Sequence, residues 1–228
     1  MQRMKTYDVP HKGLRNGLSQ MSLLAGRTDY SNPAEVERLY QLGTSLFTIL
    51  TIHAEDENSV TLAHLETRCP GCSQHDLDDH EEIHRAQQNL EQQLAAIKAG
   101  VSEGKNMSDA GAEFYLAFSE FHGEYLSHTA EEERVTQPQL WQYFTDEELA
   151  AHRGEIMAKN PPETLLIWFE FVIPAQRHAE RIGLLTGFKR MAPAAFFAEA
   201  MQVVQRVLLP SEFHRLEEVL GTLSSPKG

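Results

Sequence analysis

Apolar residues recur at every third or fourth position along nearly the whole of this chain, which is the spacing of an α-helix with one buried face. No segment has the alternating or β-branched runs between turn signals that are typical of strands. The pattern predicts an all-α protein. Roughly eight helices are expected, near residues 10–27, 33–67, 74–100, 108–136, 146–158, 162–188, 193–208 and 211–222.

The lengths of these helices divide the chain into two parts. The first four are long and closely connected, as in an up-down four-helix bundle, which we place at residues 1–140. The last four are shorter, separated by prolines and rich in large apolar residues. We expect residues 141–228 to form a helical extension that packs on the bundle or makes a contact between copies in a homo-oligomer.

Charge and hydropathy exclude several classes of partner. The formal net charge is −13, so the chain lacks the basic surface that nucleic acid or an anionic membrane requires. It has neither an apolar run long enough to cross a bilayer nor an apolar N-terminal segment of signal-peptide length. We therefore expect a cytoplasmic protein that binds neither nucleic acid nor membrane.

A repeat joins the second and fourth predicted helices. His53 and Glu57 recur 75 residues later as His128 and Glu132, and apolar residues around them recur in the same register. In both helices the histidine and the glutamate lie at the centre of the apolar stripe. His214 and Glu218 have the same spacing but point away from the apolar face of the last helix, so we expect that pair at the surface.

Two ionised carboxylates in a bundle core require compensating charge, because burying each one unpaired costs several kcal/mol. A metal supplies it, and histidine with glutamate one turn apart presents a nitrogen and an oxygen on one face. The other two bundle helices add inward histidines, His11 on the first and His80 with His84 on the third. The sequence thus predicts a dinuclear metal site. Its ligands are His11, His53, Glu57, His80, His84, His128 and Glu132.

This arrangement resembles the hemerythrin family, in its HHE cation-binding branch, over about residues 8–136. The resemblance implies a non-haem centre of two iron ions bridged by Glu57, Glu132 and an oxo or hydroxo group. One iron would be held by His80, His84 and His128. The other would be held by His11 and His53, with a position left open for dioxygen.

Two features qualify the ligand set. His84 lies near the edge of its apolar face, so a site of six ligands without it is the alternative. The oxygen-carrying members resembled here have His-x-x-x-x-Asp on the fourth helix, where this chain has His-x-x-x-Glu, which argues against reversible oxygen carriage. Ligand type alone leaves manganese, zinc and other divalent metals open, and iron rests on the resemblance.

The leading functional hypothesis is a protein that binds or senses dioxygen or a related small molecule such as nitric oxide or peroxide. The alternative is a di-iron redox enzyme, or an iron donor for the repair of iron–sulfur centres. An enzyme needs groups that deliver protons, and Tyr125 is the polar candidate on the metal-facing stripes. A structural helical protein without metal is the third possibility.

Two further groups have open roles in the sequence. Cys69 and Cys72, in CPGC, are a turn without function, a redox-responsive disulfide, or half of a zinc site with His75. The polar neighbours of Glu57, which are Glu55, Asp56 and Asn58, are expected nearer the solvent.

Overall fold

Residues 3–222 are described by the computed structural model of this protein, and every regular element within that range is helical. The predicted all-α class is confirmed. The first helices are α1 (Asp8–Arg27), α2 (Pro33–Asp56), α3 (Leu62–Arg68), α4 (Gln74–Ser102), α5 (Ser108–Glu131), α6 (Gln137–Tyr143) and α7 (Asp146–Lys159). They are followed by α8 (Pro162–Ala175), α9 (His178–Met191), α10 (Ala194–Val207) and α11 (Pro210–Thr222).

Local sequence signals explain where several helices begin. The Asn32 side chain accepts a hydrogen bond from the Ala34 backbone N–H, and Pro33 occupies the first helical position, where its missing N–H costs nothing. Thr145 and Glu148 cap α7 reciprocally, since each side chain accepts a hydrogen bond from the other residue's backbone N–H.

Four long helices form a closed ring of contacts. α1 touches α2, α2 touches α4, α4 touches α5, and α5 touches α1. Their facing sides are apolar, and burial of each large side chain stabilises the fold by about 1.5–3 kcal/mol. The fully buried members include Leu14, Leu18, Met21, Leu39, Leu46, Ile49, Leu50, Leu90, Leu94, Ile97, Phe114, Phe118 and Phe121.

Two short π-helical segments directly follow two helices of the ring, α2 and α5. They are π1 (Glu57–Thr61), between α2 and α3, and π2 (Glu132–Thr136), between α5 and α6. In each, the carbonyl of the glutamate accepts a hydrogen bond from the N–H five residues later, at Leu62 and Gln137. π-helical turns are rare and occur often at functional sites. The two predicted glutamates each begin one.

The helical prediction failed at two boundaries. The predicted helix over 108–136 continues through π2 and α6 to Tyr143. The predicted helix over 162–188 is two helices, because Gln176, just after Pro174, adopts an extended conformation and ends α8.

The chain divides into two compact units, the first ending at Lys159 and the second beginning at Asn160. The first unit therefore includes α7, which the sequence assigned to the extension. Tyr7, Leu65, Leu140, Phe144 and Leu149 form a small apolar cluster in this unit. Cys69 and Cys72, joined by a disulfide, contact the cluster.

The second unit has its own apolar core, contributed by α8 to α11. Its buried members are Ile173, Leu185, Val204, Leu208, Phe213, Leu216 and Leu220. The buried Arg181 donates hydrogen bonds to the carbonyls of Ile173 and Pro174 and pairs with Glu212. Arg181 therefore supplies additional hydrogen-bond donors to carbonyl groups at the end of α8.

None of the described helices combines the length and apolar character needed to cross a membrane.

Candidate metal centre

Six of the seven predicted ligands converge in the interior of the first unit. They come from every helix of the ring and from both π segments, and none is more than 6% exposed. They are His11 (α1), His53 (α2), Glu57 (π1), His80 (α4), His128 (α5) and Glu132 (π2).

The ligand atoms form two groups that share a carboxylate. His11, His53, Glu57 and Glu132 make up the first group, and His80, His128 and Glu132 the second; within each group the ligand atoms lie within 4.8 Å of one another. Two metal ions placed in these groups would be neighbours, with Glu132 between them.

The glutamates direct their two oxygens to opposite halves of the centre. Oε1 of Glu57 lies 3.2 Å from Nε2 of His53, and its Oε2 lies 3.4 Å from Nε2 of His80. Oε2 of Glu132 lies 3.3 Å from Nε2 of His11, and its Oε1 lies 3.5 Å from Nε2 of His128. Ligands that share one ion through bonds of about 2.1 Å are themselves roughly 3–4 Å apart. Each carboxylate could therefore reach a metal ion in either half of the centre.

The hydrogen-bonding state of these atoms tests whether they suit a metal. Within the described part of the chain, both carboxylate oxygens of Glu57 and of Glu132 are buried without a hydrogen bond, and so are Nε2 of His11 and of His80. Buried polar atoms almost always have a partner, so six such atoms facing one another require explanation. A nitrogen and oxygen donor set that lacks partners and points at a common centre fits divalent metal ions.

The charges in the centre also suit a bound cation. Burial would raise the pKa of Glu57 and of Glu132, but the surrounding imidazoles reverse the effect and lower both. Burial acts to lower the pKa of His80, but the negative charge of the two nearby glutamates outweighs burial and raises the pKa to about 10. Burial lowers the pKa of His53 to about 4. The surroundings therefore favour the ionised form of both glutamates. In the metal-free protein, a proton on His80 supplies part of the compensating positive charge.

The outer nitrogens of three ligand histidines are held by polar side chains. Nδ1 of His11 lies 3.0 Å from Oε1 of Glu133, and Nδ1 of His80 lies 2.6 Å from Oδ1 of Asn58. Nδ1 of His128 lies 3.3 Å from Oδ2 of Asp79. Such contacts place the proton on Nδ1 and leave Nε2 free to bind a metal.

These supporting residues were missed by the sequence argument, and one was misassigned. Asn58 was expected nearer the solvent, yet its Oδ1 contacts Nδ1 of His80 on α4. The available signal was the repeat: Asn58 and Glu133 are also 75 residues apart and contact equivalent histidines. Asp56 was likewise expected at the solvent side and is 6% exposed.

His84 does not join the six converging ligands in this structure. Its side chain is exposed, and its Nε2 lies 2.8 Å from Nε2 of Gln88. Tyr125 is 3% exposed, and its ring lies 6.0 Å from that of His128. His214 is largely exposed and pairs with Glu217, as expected of the surface pair on the last helix.

Comparison with known proteins finds limited similarity. No family model and no solved structure matches the chain. It is 25% identical over 151 residues to F-box/LRR-repeat protein 5 of Salmo salar, and 24% identical over 157 residues to the protein of that name from Mus musculus. The matches cover 66% and 68% of this chain and 21% of each relative. The chain therefore spans about a fifth of the length of these curated relatives.

Replacing Asp79 by alanine is expected to lower metal affinity by about 10–100-fold, because the substitution removes the carboxylate that orients His128. Competition with a coloured chelator measures this. The matched control is Asp78→Ala, on the exposed neighbouring residue that bonds Gln74. Equal losses in the two variants would show that general acidity, not the bond to His128, supports the site.

Proposed function

We propose that this protein is a hemerythrin-like four-helix bundle whose non-haem di-iron centre binds or senses a small molecule such as dioxygen, nitric oxide or peroxide. The observation that carries the proposal is the placement of Glu57 and Glu132, each with one oxygen toward either half of a buried histidine cluster. The closed ring of α1, α2, α4 and α5 supports the bundle.

The residues divide between two ions. His11 and His53 would hold one ion, His80 and His128 the other, and the two glutamates both. Iron there would supply a redox-active, Lewis-acidic position for a small molecule. The protein holds the imidazoles through Glu133, Asn58 and Asp79, and its apolar helix faces keep bulk water from the carboxylates.

The similarity to F-box/LRR-repeat protein 5 adds little to this proposal. Leucine-rich repeats contribute a strand each, and the described residues of this chain contain no strand. The similarity therefore does not support a repeat domain here, and the proposed function rests on the site.

Aerobically purified protein is expected to contain two iron ions per chain and to show oxo-to-iron charge-transfer bands in the ultraviolet–visible spectrum. Chelation should remove the bands and lower the melting temperature, because metal binding stabilises the folded state that carries the preformed site. Elemental analysis and a thermal melt measure both effects. Protein with no stoichiometric metal, and a melting temperature unchanged by chelator, would instead identify a structural helical protein.

One observation favours a redox enzyme as the second candidate. Tyr7 stacks on His11 with ring centres 4.9 Å apart, and its buried hydroxyl has no hydrogen-bond partner among the described residues. The buried Asp76 carboxylate accepts a hydrogen bond from Thr136, and burial raises the pKa of Asp76 to about 6. The Asp76 carboxylate can therefore take up and release a proton, whereas burial raises the pKa of Tyr7 and keeps its hydroxyl protonated. The sequence pattern identified neither residue. Repeated turnover of hydrogen peroxide by the iron-loaded protein would favour the enzyme.

A further inference from the structure

A pocket of about 240 Å³ lies beside the centre, between α2 and α4. His80, one of the converging ligands, forms part of its wall, together with Leu50, Thr51, Gln87 and Tyr125. A water molecule occupies roughly 30 Å³ of liquid volume, so the pocket has room for a molecule of a few heavy atoms. It is smaller than typical sites for larger organic ligands.

The two halves of the centre have equivalent residues, which allows them to be compared directly. Positions in α2 and π1 correspond to positions 75 residues later in α5 and π2. Positions in α1 correspond to positions 69 residues later in α4, since His11 is matched by His80. The correspondence extends to the supporting contacts: Glu133 lies at Nδ1 of His11, and its counterpart Asn58 at Nδ1 of His80.

The half that contains His11 is closed by an arginine. Arg15 follows His11 by one helical turn, and its Nη1 lies 2.8 Å from Oε1 of Glu133. Its Nη2 donates a hydrogen bond to Oγ1 of Thr129, at 3.1 Å. These bonds link α1 to α5 and π2 directly over the outer side of His11.

The half that contains His80 has neither the arginine nor the threonine of this closure. The counterpart of Arg15 is His84, which is exposed and bonds Gln88 of its own helix. The counterpart of Thr129 is Ala54, which has no polar group to bind across the gap. Both His84 and Ala54 line the pocket. The pocket therefore lies where the arginine closes the other half.

A buried amide forms one wall of the pocket. Gln87 is 2% exposed, and its Nε2, which carries two donor hydrogens, lies within hydrogen-bond distance of the carbonyl of Phe47, Oγ1 of Thr51 and Oε1 of Glu91. Its counterpart in the closed half is Leu18, which is fully buried in the apolar core. An amide fixed by hydrogen bonds to α2 keeps the two helices in place around the pocket without filling it with an apolar side chain.

We propose that this pocket admits a neutral molecule of two or three heavy atoms, such as nitric oxide or dioxygen, to the His80–His128 half of the centre. The inference rests on the proposed function, and it places the open position opposite to the His11–His53 half implied by the family resemblance. Glu55 and Glu81 are exposed and line the pocket, so their charge disfavours anions. The apolar walls at Leu50, Ala54 and Ile83 favour a neutral ligand.

The first experiment tests the pocket without metal. Xenon under pressure is added to the metal-free protein, and the methyl resonances of Leu50 and Ala54 are followed by NMR. We expect saturable shifts of these resonances, and their loss from Leu50 in Ala54→Phe, which fills the pocket. Absence of shifts in the wild-type protein would overturn the proposal. Because no iron is involved, this result is independent of the proposed function.

The second experiment measures nitric oxide association with the iron-loaded protein by anaerobic stopped-flow spectroscopy. Ala54→Phe is expected to slow association by at least about tenfold with the iron content unchanged, because the ligand must wait for the pocket to open. The matched control is Ala130→Phe, at another half-buried alanine beside Thr129 in the closed half. Equal rates in Ala54→Phe and the wild type would overturn the proposal, as would a comparable slowing in Ala130→Phe.

A third experiment tests the role of His84, and a fourth tests the charge of the ligand. His84→Ala is expected to retain both irons and to bind nitric oxide at least as fast as the wild type, whereas loss of one iron would show that His84 fills the position assigned to the ligand.

Azide, an anion of similar size, should associate faster when Glu55 and Glu81 are both replaced by glutamine, with the rate for nitric oxide unchanged. An unchanged azide rate would overturn the assignment of a neutral ligand.

Discussion

Glu132→Ala is expected to lower the metal content from two ions per chain to less than one. The side chain is fully buried and places an oxygen toward each half of the centre, so its loss would remove a ligand from both proposed ions at once. Loss of a residue that only orients a ligand costs about 10–100-fold in affinity, and loss of a bridging ligand should exceed that. Elemental analysis after equilibration with a fixed free iron concentration measures the change.

Stability should change together with metal content. A ligand present at about 1,000 times its dissociation constant stabilises the folded state by about 4 kcal/mol, and that contribution disappears when the metal is lost. Glu57→Ala is expected to behave in the same way, because Glu57 also divides its oxygens between the halves. His214→Ala, in the exposed pair with the same sequence spacing, should change neither quantity. Similar effects in all three variants would contradict the assignment of the inward-facing pairs.

Gly111→Ala is expected to destabilise the first unit by roughly 1–2 kcal/mol, although alanine is the better helix former. A Cβ at Gly111 would lie 2.3 Å from two ring atoms of Tyr30. The ring cannot move aside easily, because Tyr30 is buried and its hydroxyl donates a hydrogen bond to the carbonyl of Ala25. The backbone of Tyr30 is also fixed, since its carbonyl accepts from the N–H of Met107. Urea denaturation of the two proteins measures the difference.

The same substitution at Gly123 is the matched control, since both glycines lie in α5. A Cβ at Gly123 meets nothing within 4 Å. Gly123→Ala should therefore stabilise the helix by about 0.5–1 kcal/mol through propensity alone. The expected effects have opposite signs, so a stabilising Gly111→Ala would show that Tyr30 does not pack against α5 as described.

Helical periodicity was sufficient to identify the inward-facing side chains of the centre. A residue at the middle of an apolar stripe, such as His53 or Glu132, must face the interior whichever helices surround it, because the stripe itself is what the fold buries. His214 lies off the apolar stripe of its helix and is exposed, unlike the buried pairs. His84 lies at the edge of a stripe, where periodicity leaves both an inward and an outward orientation open.

The residues that hold the outer nitrogens of the histidines act through contacts between helices, which periodicity within one helix does not show. Asn58 was predicted to lie nearer the solvent, and no position was predicted for Asp79; each contacts a histidine of a different helix. The π segments also cannot be recognised from the apolar pattern. A π turn holds about one residue more than an α turn, which rotates the side chains that follow it but leaves the residue types unchanged. Sequence spacing therefore did not place Asn58 correctly.

The sequence by itself determined the all-α class, the duplicated pairs His53–Glu57 and His128–Glu132, and the burial of His11 and His80. These follow from local periodicity and from the cost of exposing an apolar stripe. Only the tertiary structure decided that Arg15 closes one half of the centre while a pocket remains beside the other. That difference depends on contacts between helices distant in the sequence, where an arginine reaches Glu133 and Thr129 on one side and the equivalent positions on the other side lack such partners.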